Sequence, residues 1–245
     1  MPTNATKNLH GKTIIITGAS SGIGRSCALE FARLSPQNLS LILTARRVDK
    51  LHSLAGQITK EVGQGVKIHA VKFDVSKPEQ VSKLWSELPA EFSNVDVLVN
   101  NAGFMSGYER APDIPSSVID DVWATNVTGV INMTQAFLKG ARKRGEGGRG
   151  DIVMIGSIAG REAYAGGSIY CASKAAVRSF TDALRRELVA TRIRVFTVDP
   201  GQVLTVSVLR QWERVHVWML TKSDRSSRSY AIAVMKPLLI RFMSE

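Results

Sequence analysis

Cysteine is scarce: Cys27 and Cys171 are the only two in 245 residues. Both fall in expected helices, and two such residues cannot form the disulfide framework of a small secreted domain. Histidine is also rare, with four copies. No His/Cys/Asp cluster has metal-site spacing, so no metal site is expected. No apolar stretch is long enough to span a bilayer. Residues 1–12 are polar and lack the apolar core of a signal peptide, so a cytoplasmic protein without a membrane partner is expected. Internal repeats are absent. Acidic residues are outnumbered, 21 to 32 basic ones, for a net charge of +11. Such an excess raises the question of a nucleic-acid or membrane partner. The basic residues are dispersed, however, and no nucleic-acid motif is present. Their densest cluster is Lys139, Arg142, Lys143 and Arg144, at an expected helix C-terminus where cations are favoured anyway. Nucleic-acid binding is therefore not expected.

What is present is a clean alternation of strand and helix patterns. Strand patterns fall near 13–17, 39–45, 66–73, 95–100, 151–155 and 193–198. Helical patterns fall near 24–34, 48–62, 78–91, 118–143 and 169–190. This alternation predicts an α/β fold, a doubly wound parallel sheet with helices on both faces, in a single domain spanning 1–245. Ligands of such sheets sit beyond the carboxyl ends of the strands.

The first strand, Thr-Ile-Ile-Ile-Thr at 13–17, has the composition of a buried parallel strand. It runs into Gly18-Ala19-Ser20-Ser21-Gly22-Ile23-Gly24 and then a helix. A glycine-rich turn between strand and helix suits a dinucleotide: the pyrophosphate can approach the main chain, and the helix N-terminus offers unpaired N–H groups. Gly18, Ser20, Ser21, Gly22, Ile23 and Gly24 are the candidate phosphate contacts. The second strand ends in Ala45-Arg46-Arg47. An NAD site usually has an acid there to hold the ribose 2′-hydroxyl. A guanidinium instead suits a 2′-phosphate, so Arg46 and Arg47 point to NADP. The alternative is that both are solvated residues at a helix start.

Tyr170 and Lys174 lie four residues apart in an expected helix, hence on one face. A nearby ammonium favours the phenolate, which is expected to bring Tyr170 toward the range of a general acid/base. Ser157, thirteen residues before Tyr170, ends the fifth strand with a hydroxyl able to hold a carbonyl or alcohol oxygen.

Together these residues resemble the short-chain dehydrogenases/reductases. Matching segments are Thr17 to Gly24, Asp74-Val75, Asn100-Asn101-Ala102-Gly103, Asn126, Ser157, Tyr170/Lys174 and Pro200-Gly201, in the family's order over roughly residues 9–205. Residues 156–164 and 167–174 are similar to the NADP-dependent 3-hydroxy acid (serine-type) dehydrogenases. The resemblance implies an oxidoreductase acting on a small hydroxy compound. Tyr170 would be its acid/base, Ser157 the group orienting the substrate, Lys174 the partner of Tyr170 and of the nicotinamide ribose, and Asn126 a relay residue. Asp74, Val75, Asn101, Ala102, Gly103, Pro200, Gly201, Val203 and Thr205 would line the cofactor. Arg161 is a candidate for a substrate carboxylate; the alternative is a structural ion pair with Glu162 or another acid.

Beyond Thr205 the resemblance fades. Residues 206–245 have no clear alternation and are expected to add no seventh strand, reading as a shifted frame, a missed splice or a divergent tail. The sixth strand would then be a sheet edge prone to aggregation. A homodimer through the long helices is expected, with a tetramer as the alternative. A second functional reading is a relative that binds cofactor or partner with little turnover.

Overall fold

Ile14, Ile15 and Ile16 are all fully buried, which puts β1 (Thr13–Thr17) at the centre of the protein. The computed structural model describes residues 8–106, 109–145 and 147–201. β1 pairs in parallel with β2 (Leu39–Ala45) on one side and β4 (Val97–Asn100) on the other. β3 (Val66–Lys72), β5 (Arg149–Ile155) and β6 (Arg192–Val198) extend the sheet to the order β3-β2-β1-β4-β5-β6, all parallel. The strand order reverses between β1 and β4, so a crevice opens where their following loops diverge. This is the expected doubly wound Rossmann-like sheet, in one domain and six-stranded among the described residues.

Side chains alternate across a strand, so β1 feeds two cores. Ile14 and Ile16 pack with Phe31, Leu51, Leu54 and Ile58 under α1 (Gly22–Leu34) and α2 (Val48–Val62). Ile15 faces the other way, toward Met133, Phe137, Val177 and Leu184. That second core lies under α3 (Pro78–Glu87), α5 (Val130–Ala141) and α6 (Ser168–Glu187).

Two helices differ from expectation. The helix over 78–91 ends at Glu87, because Leu88 precedes Pro89 and is extended (φ −63°, ψ 132°); a short 3-10 turn follows at Ala90–Phe92. The helix over 118–143 is broken by a π turn, Ala124–Gly129, between α4 (Ser116–Trp123) and α5. Gly129 lies so close to the end of β3 that an added Cβ would sit 2.8 Å from the Val75 carbonyl oxygen. The remaining boundaries move by a few residues, as fraying ends do. The expectation for residues 206–245, including the missing seventh strand, lies outside the described residues. Arg185 covers the last described strand, donating to the Val195 carbonyl at 3.0 Å and to Thr197 Oγ1 at 2.6 Å.

Candidate active site

The loops after β1 and β4 are joined by side chains at the crevice. Thr17 Oγ1 accepts from the Asn101 and Ala102 amides, each at 3.0 Å, and donates to the Val99 carbonyl at 3.2 Å. Asn101 Nδ2 returns a bond to the Thr17 carbonyl at 2.8 Å. Gly18 and Gly22 have φ of +68° and +55°, a region that L side chains rarely adopt. A Cβ on Gly24 would overlap Asn101 Nδ2 and reach to 2.7 Å from the Gly18 carbonyl oxygen. The glycines therefore let the start of α1 close onto the β4 loop. Ile23 packs against the first core.

Arg47 and Arg46 take different positions. Arg47 Nη2 donates to Ser20 Oγ and Ser21 Oγ, both at 2.9 Å, and so bridges the glycine loop to the start of α2. Arg46 lines a cavity of about 560 Å³ together with Lys72, Asp74, Gln80 and Lys83. Lys72 is in register with Ala45, the residue before Arg46. Asp74 makes a local turn, accepting from the Ser76 amide at 3.0 Å and hydroxyl at 2.8 Å. Val75 is buried in the second core, beside Gly129.

The proton-transfer groups converge at the other end of the crevice. Asn126 belongs to the π turn and is buried. It accepts from the Phe104 amide and donates to the Phe104 carbonyl, each at 2.9 Å, and donates to Ser173 Oγ at 3.1 Å. A Cβ on Gly103 would lie 3.2 Å from Asn126 Oδ1 and 3.6 Å from Lys174 Nζ, so these three residues meet. Lys174 is buried on α6 and donates to the Ile155 carbonyl at 2.9 Å. Its Nζ lies 5.8 Å from the centroid of the Tyr170 ring. Ser157 ends the loop after β5, where its hydroxyl accepts from the Ala159 amide at 3.2 Å and hydrogen-bonds the Tyr170 phenol.

The electrostatics correct one expectation. Burial pushes the Tyr170 phenol above its usual value; the Ser157 hydrogen bond opposes this, and Cys171 adds to it. Desolvation acts on the ammonium as well, bringing Lys174 down to about 8 while Asp199 pulls it up. In the protein itself the tyrosine is thus a neutral proton donor rather than a phenolate.

Arg161 forms an ion pair with Asp199 at 2.6 Å, and its side chain remains 53% exposed. The acid it meets is not the neighbouring Glu162. Pro200 is buried, and its carbonyl accepts from the Ile158 amide at 3.1 Å. Gly201 is exposed, and Val203 and Thr205 lie outside the described residues. Sequence reasoning missed Thr17 and Asp199. Thr17 was visible as the strand-end hydroxyl before the glycines, but nothing local marks the pairing of Asp199 with a residue 38 positions away. Among the described residues there is no group of three or more His, Cys, Asp or Glu that could hold a metal.

A parallel sheet of this order, with a glycine loop at its switch point and a Ser/Tyr/Lys cluster beyond β5, has the architecture of a dinucleotide-binding α/β protein. The chain belongs to the short-chain dehydrogenase family, whose profile, described as short chain dehydrogenase, matches residues 12–214. It is similar to the NADP-dependent 3-hydroxy acid dehydrogenase of Schizosaccharomyces pombe, 44% identical over 203 residues, covering 82% of this chain and 76% of that protein. Sulfoacetaldehyde reductase 2 of Chromohalobacter salexigens is 40% identical over 192 residues, covering 78% and 73%. Among solved structures, the closed form of a serine dehydrogenase complexed with NADP+ superposes with a TM-score of 0.75 at 31% identity, covering 91% of this chain and 87% of that one.

Proposed function

We propose that this protein is an NADP-dependent oxidoreductase that interconverts a small hydroxy compound and its carbonyl, with a 3-hydroxy acid such as serine as the substrate class. The observation that carries the reading is the convergence of Ser157, Tyr170, Lys174 and Asn126 at the strand ends, across the crevice from the glycine loop. The residues present fit a phosphorylated dinucleotide. Gly18, Gly22, Gly24 and the α1 N-terminus suit the pyrophosphate, and Arg46 and Arg47 suit a 2′-phosphate. Asp74 is a candidate for the adenine, and Asn101, Ala102 and Gly103 are candidates for the cofactor's inner wall. When bound, the nicotinamide supplies or accepts the hydride.

In the reducing direction, Tyr170 donates its proton to the carbonyl oxygen as negative charge develops there. Ser157 orients that oxygen. The Lys174 ammonium favours the phenolate left behind, and Asn126 fixes the Phe104 segment and Ser173 around it. The names of the relatives support an acidic substrate, a carboxylate in one and a sulfonate-bearing aldehyde in another. Arg161 can meet such an anion: one guanidinium nitrogen bonds Asp199, and the group has further N–H donors.

The test is NADPH consumption by the full-length protein with 3-oxo acids, sulfonated and neutral aldehydes and ketones, and the reverse assay with NADP and 3-hydroxy acids. Turnover with an acidic substrate supports the reading, and Arg161→Ala should then harm acidic substrates more than neutral ketones. Tight NADPH binding without turnover on any of them would favour a cofactor-binding relative instead.

A further inference from the structure

Asp199 stands just past the end of β6, paired with Arg161 and packed on the bend that also holds Lys174. Its carboxylate packs over the bend that follows β5: a Cβ on Gly156 would overlap Asp199 Oδ1. The preceding residue, Ile155, offers the carbonyl that Lys174 Nζ bonds at 2.9 Å. One backbone bend thus carries the buried ammonium on one residue and the carboxylate on the next. The other oxygen, Oδ2, takes Arg161 at 2.6 Å. Backbone bonds fix this arrangement. The Gly156 amide donates to the Val198 carbonyl at 2.8 Å, and the Ile158 amide to the Pro200 carbonyl at 3.1 Å. The Asp199 side chain is only 13% exposed.

We infer that Asp199 is a positioning residue of this site: it holds Arg161 at the rim and sets its charge toward the Lys174 ammonium across the Ile155–Gly156 bend. This rests on the oxidoreductase reading for its consequence in turnover, but not for its effect on Lys174. The other groups around Lys174 cannot replace that charge. Beside it lie the Tyr170 phenol on α6 and the Asn126 amide on the π turn, neither of them an anion. Among the described residues, Asp199 is the charged group packed on the bend that holds the ammonium, and it favours the protonated form. Glycine is required at 156 because the carboxylate occupies that space.

Lysine labelled with 13C at Cε reads the titration of Lys174 in the full-length protein; the resonance is identified by its loss in Lys174→Arg. In Asp199→Asn the midpoint should fall by about one pH unit. In Asp199→Glu it should return most of the way. In Arg161→Ala, which leaves Asp199 in place without its competing cation, it should rise. The alkaline limb of kcat/KM for carbonyl reduction should move with the midpoint in each variant. A midpoint unchanged in both Asp199→Asn and Arg161→Ala overturns the inference, as does an Asp199→Asn protein that only melts earlier. If Asp199→Asn does not fold, Arg161→Ala alone decides. A wild-type protein that fails to oxidise NADPH would sink the functional reading, while the titrations would still report on Asp199.

Discussion

Burial and charge compete at Tyr170 and Lys174, and burial prevails at both. The phenol is raised and so stays protonated, ready to donate. Tyr170→Phe removes that proton and keeps the ring, so turnover should drop by about 100-fold or more while NADPH affinity holds; near-normal turnover would displace Tyr170 as the acid. Lys174 titrates at about 8 when folded, against 10.5 as an ordinary lysine. Between those values the unfolded chain binds the extra proton, so this residue makes stability rise as pH climbs from about 8 to 10.5. Below about 8 the folded state carries the full cost of a buried ammonium, on the order of 3 kcal/mol. Lys174→Met removes that cost but leaves the Ile155 carbonyl without its donor, which takes back about 1–2 kcal/mol. The variant should therefore be inactive yet more resistant to urea at pH 7 by about 1–2 kcal/mol, with the advantage shrinking by pH 10. A variant less stable than wild type at pH 7 would contradict the assignment of burial as the dominant cause. The four-residue spacing of this pair is legible in sequence. The sign of the tyrosine shift is not, because it depends on what α6 packs against.

Strand ends and helix starts do the assembling here. The glycine loop is legible because its residues are adjacent in the chain, and its role follows from strand, turn and helix alone. Thr17 and Asn101 join loops more than 80 positions apart, which no local pattern announces. The π turn is equally silent: Ala124–Gly129 keeps the apolar periodicity of a continuous helix, yet it carries Asn126 to Phe104 and Ser173. Pro89, by contrast, marks a stop that the helical pattern over 78–91 overran. Between β2 and α2 the two arginines divide their work, Arg47 bracing the serines of the loop and Arg46 lining the neighbouring cavity. Each replaced alone should weaken NADP binding only in part. Replacing both with neutral residues should weaken NADP far more than NAD, as measured by calorimetry with the two cofactors. Equal losses for both would mean that the pair serves the loop's shape and not the 2′-phosphate.

At the scale of the molecule, the order β3-β2-β1-β4-β5-β6 gathers the described candidate site residues beyond the carboxyl ends of the strands, and the helices lie on the sheet's two faces. That much follows from the alternation of strand and helix patterns, since a right-handed crossover leaves few other arrangements. What covers the outer surface of those helices does not follow from it. α4 exposes Ile119 at 37% and Trp123 at 41%, one turn apart and therefore on the same face. Two large apolar side chains together on a helix that leads into the π turn are costly to leave in water and suit a second copy of the same surface. The basic excess opposes association in general, so a pairing that persists must rest on apolar burial and should strengthen as salt screens the repulsion. Sedimentation of the full-length protein should give a homodimer, held more tightly at high salt than at low. Ile119→Glu with Trp123→Glu should give a monomer whose circular dichroism is unchanged. Because α4 continues into the turn that holds Asn126, that monomer should also lose part of its turnover while retaining NADPH binding. A double variant that still sediments as a dimer would move the interface elsewhere, and a wild-type monomer at every salt concentration would remove it.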